Sequence, residues 1–136
     1  MKINKWTHFT VGTILVSMLV FGMGWIIYSV NSDMHVPELD NELAARGLEI
    51  ARDNGCVACH SLDGSIGLGP TWLGMYGKTE TLVDGSTVVV DDEYIVESIV
   101  YPDEKQVQGF EKLMVRYYLQ EDDLRALLEF SRQLAL

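Results

Sequence analysis

Cysteine, proline and basic side chains are all scarce in this chain, and each scarcity excludes something. Two cysteines in 136 residues allow one disulfide at most, and a zinc site built on them would need two further ligands. Ten basic side chains stand against twenty acidic ones, a formal net charge of −10, which argues against nucleic acid and against docking flat on anionic lipid. The three prolines, Pro37, Pro70 and Pro102, punctuate the chain rather than pervade it, and no internal repeat or low-complexity segment is present. An apolar fraction of 48% is too high for a disordered chain, and the length suits one small domain with accessories.

Charge is missing altogether from Phe9 to Val30, which reads FTVGTILVSMLVFGMGWIIYSV. A helix rising about 1.5 Å per residue needs roughly 20 such residues to cross the hydrocarbon of a bilayer. A cleaved secretory signal is the competing reading, but its apolar stretch runs to only about 7–15 residues and ends at a small-x-small site. This run is longer and leaves through Tyr28, Ser29, Val30 and Asn31 without an Ala-x-Ala, which predicts an uncleaved anchor. Lys2 and Lys5 precede it while Asp33, Glu38, Asp40 and Glu42 follow, so the N-terminus is expected in the cytoplasm and the remainder on the other side. With eight basic against twenty acidic side chains, that remainder carries −12, a charge that fits a basic protein partner. A solvated acidic surface that keeps the domain soluble would account for the same charges.

Both cysteines fall within residues 55–60, Gly-Cys-Val-Ala-Cys-His. Cys-x-x-Cys-His is the attachment signature of a c-type haem: two thiols one helical turn apart reach the two vinyl groups, and the next side chain presents an imidazole to the iron. Cys-x-x-Cys alone is shared by zinc sites and redox dithiols. The spare imidazoles, His8 and His35, lie at the entry of the apolar run and just beyond its exit, and no βαβ pattern surrounds the motif. One covalent haem c held by Cys56 and Cys59 and ligated by His60 is therefore expected. The Pro70 carbonyl can accept from Nδ1–H of His60 and so orient the ring, although Gly69-Pro70 would also serve as a plain turn. Among six methionines, Met114 is the expected sixth ligand, because it lies in a loop just before the last helix while Met75 follows His60 too closely. A methionine filling a gap in the core is the alternative. Trp72 and Tyr76 are expected to line the haem pocket, where either could donate to a propionate or simply pack.

The rest of the chain divides into a cytoplasmic N-terminus (1–8), the anchor (9–30), a linker (31–40) and a haem domain (41–136). Asp40 can cap a helix carrying Leu43, Gly47, Ile50 and Ala51 and ending at Asn54-Gly55. Asp84-Gly85 between β-prone runs signals a two-residue hairpin turn. Asp91 or Asp92 caps a second helix with Tyr94, Ile95, Ile99 and Val100 on its apolar stripe. Glu121, Asp122 and Asp123 open the last helix, whose buried face is Leu124, Leu127, Leu128, Phe130 and Leu134. Gly47 and Phe130 make a plausible crossing pair.

Taken together, GCVACH, Gly67 to Pro70, the Asp84-Gly85 hairpin and the loop methionine resemble class I cytochrome c, most of all the cytochrome c domain fused to subunit II of caa3-type cytochrome oxidases. That resemblance implies a mainly α fold with a small β-hairpin, here behind one transmembrane helix. It also implies His60 and Met114 as axial ligands and Pro70 as the partner of His60. It departs in two places. No copper-binding domain precedes the haem domain, which predicts a stand-alone cytochrome, and Val115 stands where the family usually follows its methionine with proline. One anchor plus one haem domain is similar to the cytochrome subunits of nitric oxide reductases and quinol-oxidising complexes. The expectation is single-electron transfer within or beside a respiratory complex of the bacterial cytoplasmic membrane, on the periplasmic side, without catalysis of its own. A haem enzyme or gas sensor with an open sixth position is the alternative.

Overall fold

A computed structural model describes residues 16–23, 25 and 39–135. The predicted N-terminus (1–8), and most of the anchor (9–30) and of the linker (31–40), lie outside the described residues. Residues 16–23 and 25 are helical and exposed, and no helix among the described residues is long and apolar enough to cross a membrane. Contacts divide the chain into two units, Met1–His35 and Val36–Leu136, and the predicted haem domain falls within the second.

Within the second unit the fold is mainly helical with one two-stranded hairpin. Helix α1, Glu42–Asp53, begins at Asn41, whose side chain accepts from the Ala44 N–H at 2.8 Å. The cap is thus one residue later than the Asp40 expected from sequence: the helix begins at Glu42, and Asn41, directly before it, meets the free amide of the third helical residue. Asp40 instead uses its own N–H, donating to Oε1 of Gln133 at 2.8 Å. The helix stops at Asn54 and Gly55, and Gly55 takes the left-handed conformation at φ 72° that favours glycine. Its buried face is Ala44, Gly47, Leu48 and Ala51, a clean i, i+3, i+4, i+7 stripe. Leu43, assigned to that stripe from sequence, sits a third of a turn off it and is 43% exposed.

A short hairpin follows, β1 (Thr79–Thr81) pairing antiparallel with β2 (Thr87–Val89) in the register Thr79 to Val89. Leu82 N–H donates to the Ser86 carbonyl, leaving Val83, Asp84 and Gly85 in the loop, three residues where two were expected. Gly85, at φ 85°, closes this wider loop, and the Asp84 carboxylate accepts from both N–H and Oγ of Ser86. Helix α2, Asp92–Val100, is capped by Asp91, which accepts from the Tyr94 N–H, and it buries Tyr94, Ile95 and Ile99. Helix α3, Glu121–Gln133, carries three carboxylates in its first turn, a favourable placement at the positive end of its dipole.

Helices α1 and α3 cross at Gly47. A Cβ there would stand 2.2 Å from the Ala126 carbonyl oxygen and 2.7 Å from the Phe130 Cβ, so only glycine allows the approach. Phe130 is fully buried beneath the crossing, worth about 1.5–3 kcal/mol in burial, and its ring lies 5.1 Å from that of Trp72. Leu48, Ile95, Leu127 and Leu134 complete the same core. The buried face of α3 includes Ala126 and Ser131, which a search for large apolar residues passes over, while Leu124 and Leu128 are only partly buried.

Candidate functional site

The end of α1 delivers the attachment motif as a single 3-10 turn, Cys56–Ala58, with Cys59 and His60 directly behind it. His60 N–H donates to the Cys56 carbonyl at 3.0 Å, which folds both cysteines and the imidazole onto one turn. Cys56 and Cys59 are half-buried and not joined in a disulfide. Burial pushes the Cys56 thiol up.

Residues 61–72 are strapped back over this turn. Gly69 N–H donates to the Cys59 carbonyl at 3.0 Å, Trp72 N–H to the Ser61 carbonyl at 2.7 Å, and the Ser61 and Thr71 hydroxyls bond each other at 2.8 Å. The strap carries the Pro70 carbonyl to within 2.7 Å of Nδ1 of His60. With Nδ1–H donating to that carbonyl, Nε2 is the nitrogen left with a lone pair for a metal. Two glycines make the strap possible, since a Cβ at Gly69 would stand 2.5 Å from Cε1 of His60 and one at Gly67 would stand 2.4 Å from the Cys59 carbonyl oxygen.

Cys56, Cys59, His60, Pro70, Trp72 and Met114 all line one largely apolar cavity of about 310 Å³. Five of the six lie within 17 residues of one another, whereas Met114 is brought in from the irregular segment before α3. Trp72 does not offer its indole N–H to the cavity. That N–H donates to the buried Ser131 Oγ at 2.7 Å, the Ser131 hydroxyl in turn donates to the Leu127 carbonyl, and the ring meets His60 edge-on at 5.9 Å. Tyr76 is not among the lining residues. Its hydroxyl donates to Asp92 at 2.7 Å, and the Arg132 guanidinium, ion-paired with Asp92, lies over its ring. Tyr94, Ile95, Ile99, Leu68 and Tyr117 also line the cavity, a place that the sequence reading did not give them. The α2 stripe was a sufficient signal for the first three, while Leu68 and Tyr117 lie in segments with no periodicity.

The donor set fits a c-type haem on the structure's own terms. Two thiols and an oriented imidazole open into an apolar cavity, and no cluster of three or more His, Cys, Asp or Glu side chains able to hold a metal ion occurs among the described residues. A helix bearing Cys-x-x-Cys-His at its end, a strap that fixes the imidazole, and a terminal helix crossing the first at a glycine define a haem-attaching electron-transfer domain. A family model for cytochrome c matches residues 44–135, and the chain belongs to that family, whose members bind covalently attached haem c and typically carry electrons. The match is to the family as a whole and does not extend to the narrower likeness to subunit II of caa3-type oxidases. Comparison with curated proteins gives no match.

Proposed function

We propose that this chain is a membrane-anchored, single-haem cytochrome that passes single electrons within or beside a respiratory membrane complex, with His60 and Met114 as the side chains that would hold the iron. The observation that carries the reading is the 2.7 Å bond from His60 Nδ1 to the Pro70 carbonyl in a cavity that Met114 also lines. The bound haem supplies a one-electron couple. The chain's own residues do the rest. Cys56 and Cys59 hold the group, Pro70 aligns and enriches the imidazole, and Trp72, Ile95 and Ile99 keep water from that cavity. Exposed Leu68, Leu113 and Val115 border the cavity and offer an apolar contact for a redox partner. The −12 balance of the residues after the apolar run favours a basic partner, and the uncharged stretch from Phe9 to Val30 favours tethering in the bilayer with the haem domain outside the cytoplasm. A tether of this kind raises the effective concentration of donor and acceptor in one membrane.

An open sixth position, as in a gas-binding or catalytic haem, is the competing reading, and the 36% exposure of Met114 with Val115 behind it favours that reading. Purification decides between them. The first reading requires release from membranes by detergent but not by high salt, a methionine-to-iron charge-transfer band in the oxidised protein, and slow carbon monoxide uptake in the reduced one. Extraction by salt alone would remove the anchor, and a missing band with rapid carbon monoxide uptake would remove Met114.

A further inference from the structure

The segment carrying Met114 has few ties to the rest of the fold, one of them the Arg116 guanidinium 5.0 Å over the Tyr101 ring. Residues 111–120 form no helix or strand, and Leu113, Met114 and Val115 are all exposed. Upstream of the methionine, Lys112 reaches the Asp103 carbonyl at 3.1 Å through an exposed, flexible side chain. Downstream, the first hydrogen bonds to a distant part of the fold are made by Tyr117. Its N–H donates to the Ile99 carbonyl at 3.1 Å and its hydroxyl to the Asn54 carbonyl at 2.8 Å. Its ring packs against the core and lines the same cavity as Met114 and His60.

Asn54 is the C-cap of α1 and stands two residues before Cys56. One phenol therefore ties the end of the methionine segment to the turn that carries the attachment cysteines and the imidazole. Only Val115 and Arg116 separate Met114 from Tyr117, a span of about 10 Å at full extension, so fixing the ring confines the thioether to a small volume. Val115 provides no such confinement, because unlike proline it leaves its own φ free. We infer that Tyr117 is a positioning residue for the sixth ligand, holding Met114 over the site by anchoring its segment to the Asn54 carbonyl. This rests on Met114 being that ligand. In this chain the phenol performs from the side the restraint that a proline would impose from within the backbone.

Removing the hydroxyl alone tests it. Tyr117→Phe keeps the ring in place and drops one bond, which corresponds to a roughly fivefold larger population with the methionine released. The full-length holoprotein is compared with Y117F and with Asn41→Ala, which removes the α1 cap and so lowers stability by a similar amount without touching the segment. All three are measured at the same interval below their own melting temperatures. The expected result is a weakened methionine-to-iron charge-transfer band and about fivefold faster carbon monoxide uptake in Y117F, with N41A matching the parent. Tyr117→Leu, which also removes the ring, weakens the band at least as far. A parent that has the band, with Y117F indistinguishable from N41A, overturns the role of Tyr117 and leaves the ligand assignment standing. A parent that lacks the band overturns both.

Discussion

Gly47→Ala sets two well-understood effects against each other, and the structure says which wins. Alanine favours the helix over glycine by about 1 kcal/mol, so an exposed or loosely packed Gly47 would make the variant more stable. At this crossing, however, the new methyl would stand 2.2 Å from the Ala126 carbonyl oxygen and 2.7 Å from both its carbon and the Phe130 Cβ. Non-bonded atoms rest near ~3.5 Å, so the helices must part by about 1 Å. Two of the three atoms belong to the α3 backbone, and no side-chain rotation relieves them. Overpacking of this kind costs about 1–3 kcal/mol, and a clash with rigid backbone belongs at the upper end, which leaves a net loss of about 2 kcal/mol and a melting temperature lower by about 8–16 °C. Because α1 ends at the attachment turn, the same displacement reaches Cys56, and the fraction of protein carrying covalent haem is expected to fall as well. Thermal melting of the holoprotein followed by circular dichroism, together with haem stoichiometry, provides the check. A melting temperature equal to or above that of the parent would show that propensity prevails and that the crossing is looser than described.

The same logic applies at the site itself. A methyl at Gly69 would overlap Cε1, Nδ1 and Nε2 of His60, so Gly69→Ala pushes the imidazole off the Pro70 carbonyl. Weaker electron donation from the ring disfavours the ferric state and raises the reduction potential by at most about 60 mV, measured by spectroelectrochemistry; an unchanged or lowered potential would contradict the role given to Pro70. Asp92 is held below its ordinary value of 3.8 by the Tyr76 hydroxyl first and Arg132 second. A carboxylate depressed in the folded state contributes stability in full above 3.8 and loses it as pH falls through its lower folded value, so Asp92→Asn flattens the acid limb of the stability curve below about pH 4. The Asp92 side chain is 45% exposed, which limits the effect to less than about 1 kcal/mol, and an acid limb as steep as the parent's would assign that loss to other carboxylates.

Local signals are the more legible in this sequence, and most distant pairings are not. The attachment motif, Pro70 beside it, the Asn54-Gly55 stop and the Asp91 cap each work through neighbours within about ten residues, and chain geometry alone restricts what they can do. The pairing of Gly47 with Phe130 was legible because a glycine in an amphipathic helix has few other uses. Ser131 was not, since a serine on a helix reads as surface until Trp72, 59 residues away, is seen to need an acceptor. Tyr117 was missed for the same reason, its partner Asn54 lying 63 residues upstream. Tyr76 lies close to the motif in sequence, yet Asp92 and Arg132 draw its hydroxyl to the other side of the loop. The cap shifted from Asp40 to Asn41 because both residue types can cap and only the register decides between them.

The domain's first helix and its last close on each other, with Asp40 bonded to Gln133 across 93 residues and the α1–α3 crossing beside it. Such a contact cannot form until the chain has been made as far as Gln133. Cys56, Cys59 and His60 therefore emerge first and wait on an unlocked chain, where their thiols are open to reaction before the core closes behind them. The topology separates two events: the attachment turn is local and can form alone, whereas α3 must be in place before the core closes behind it.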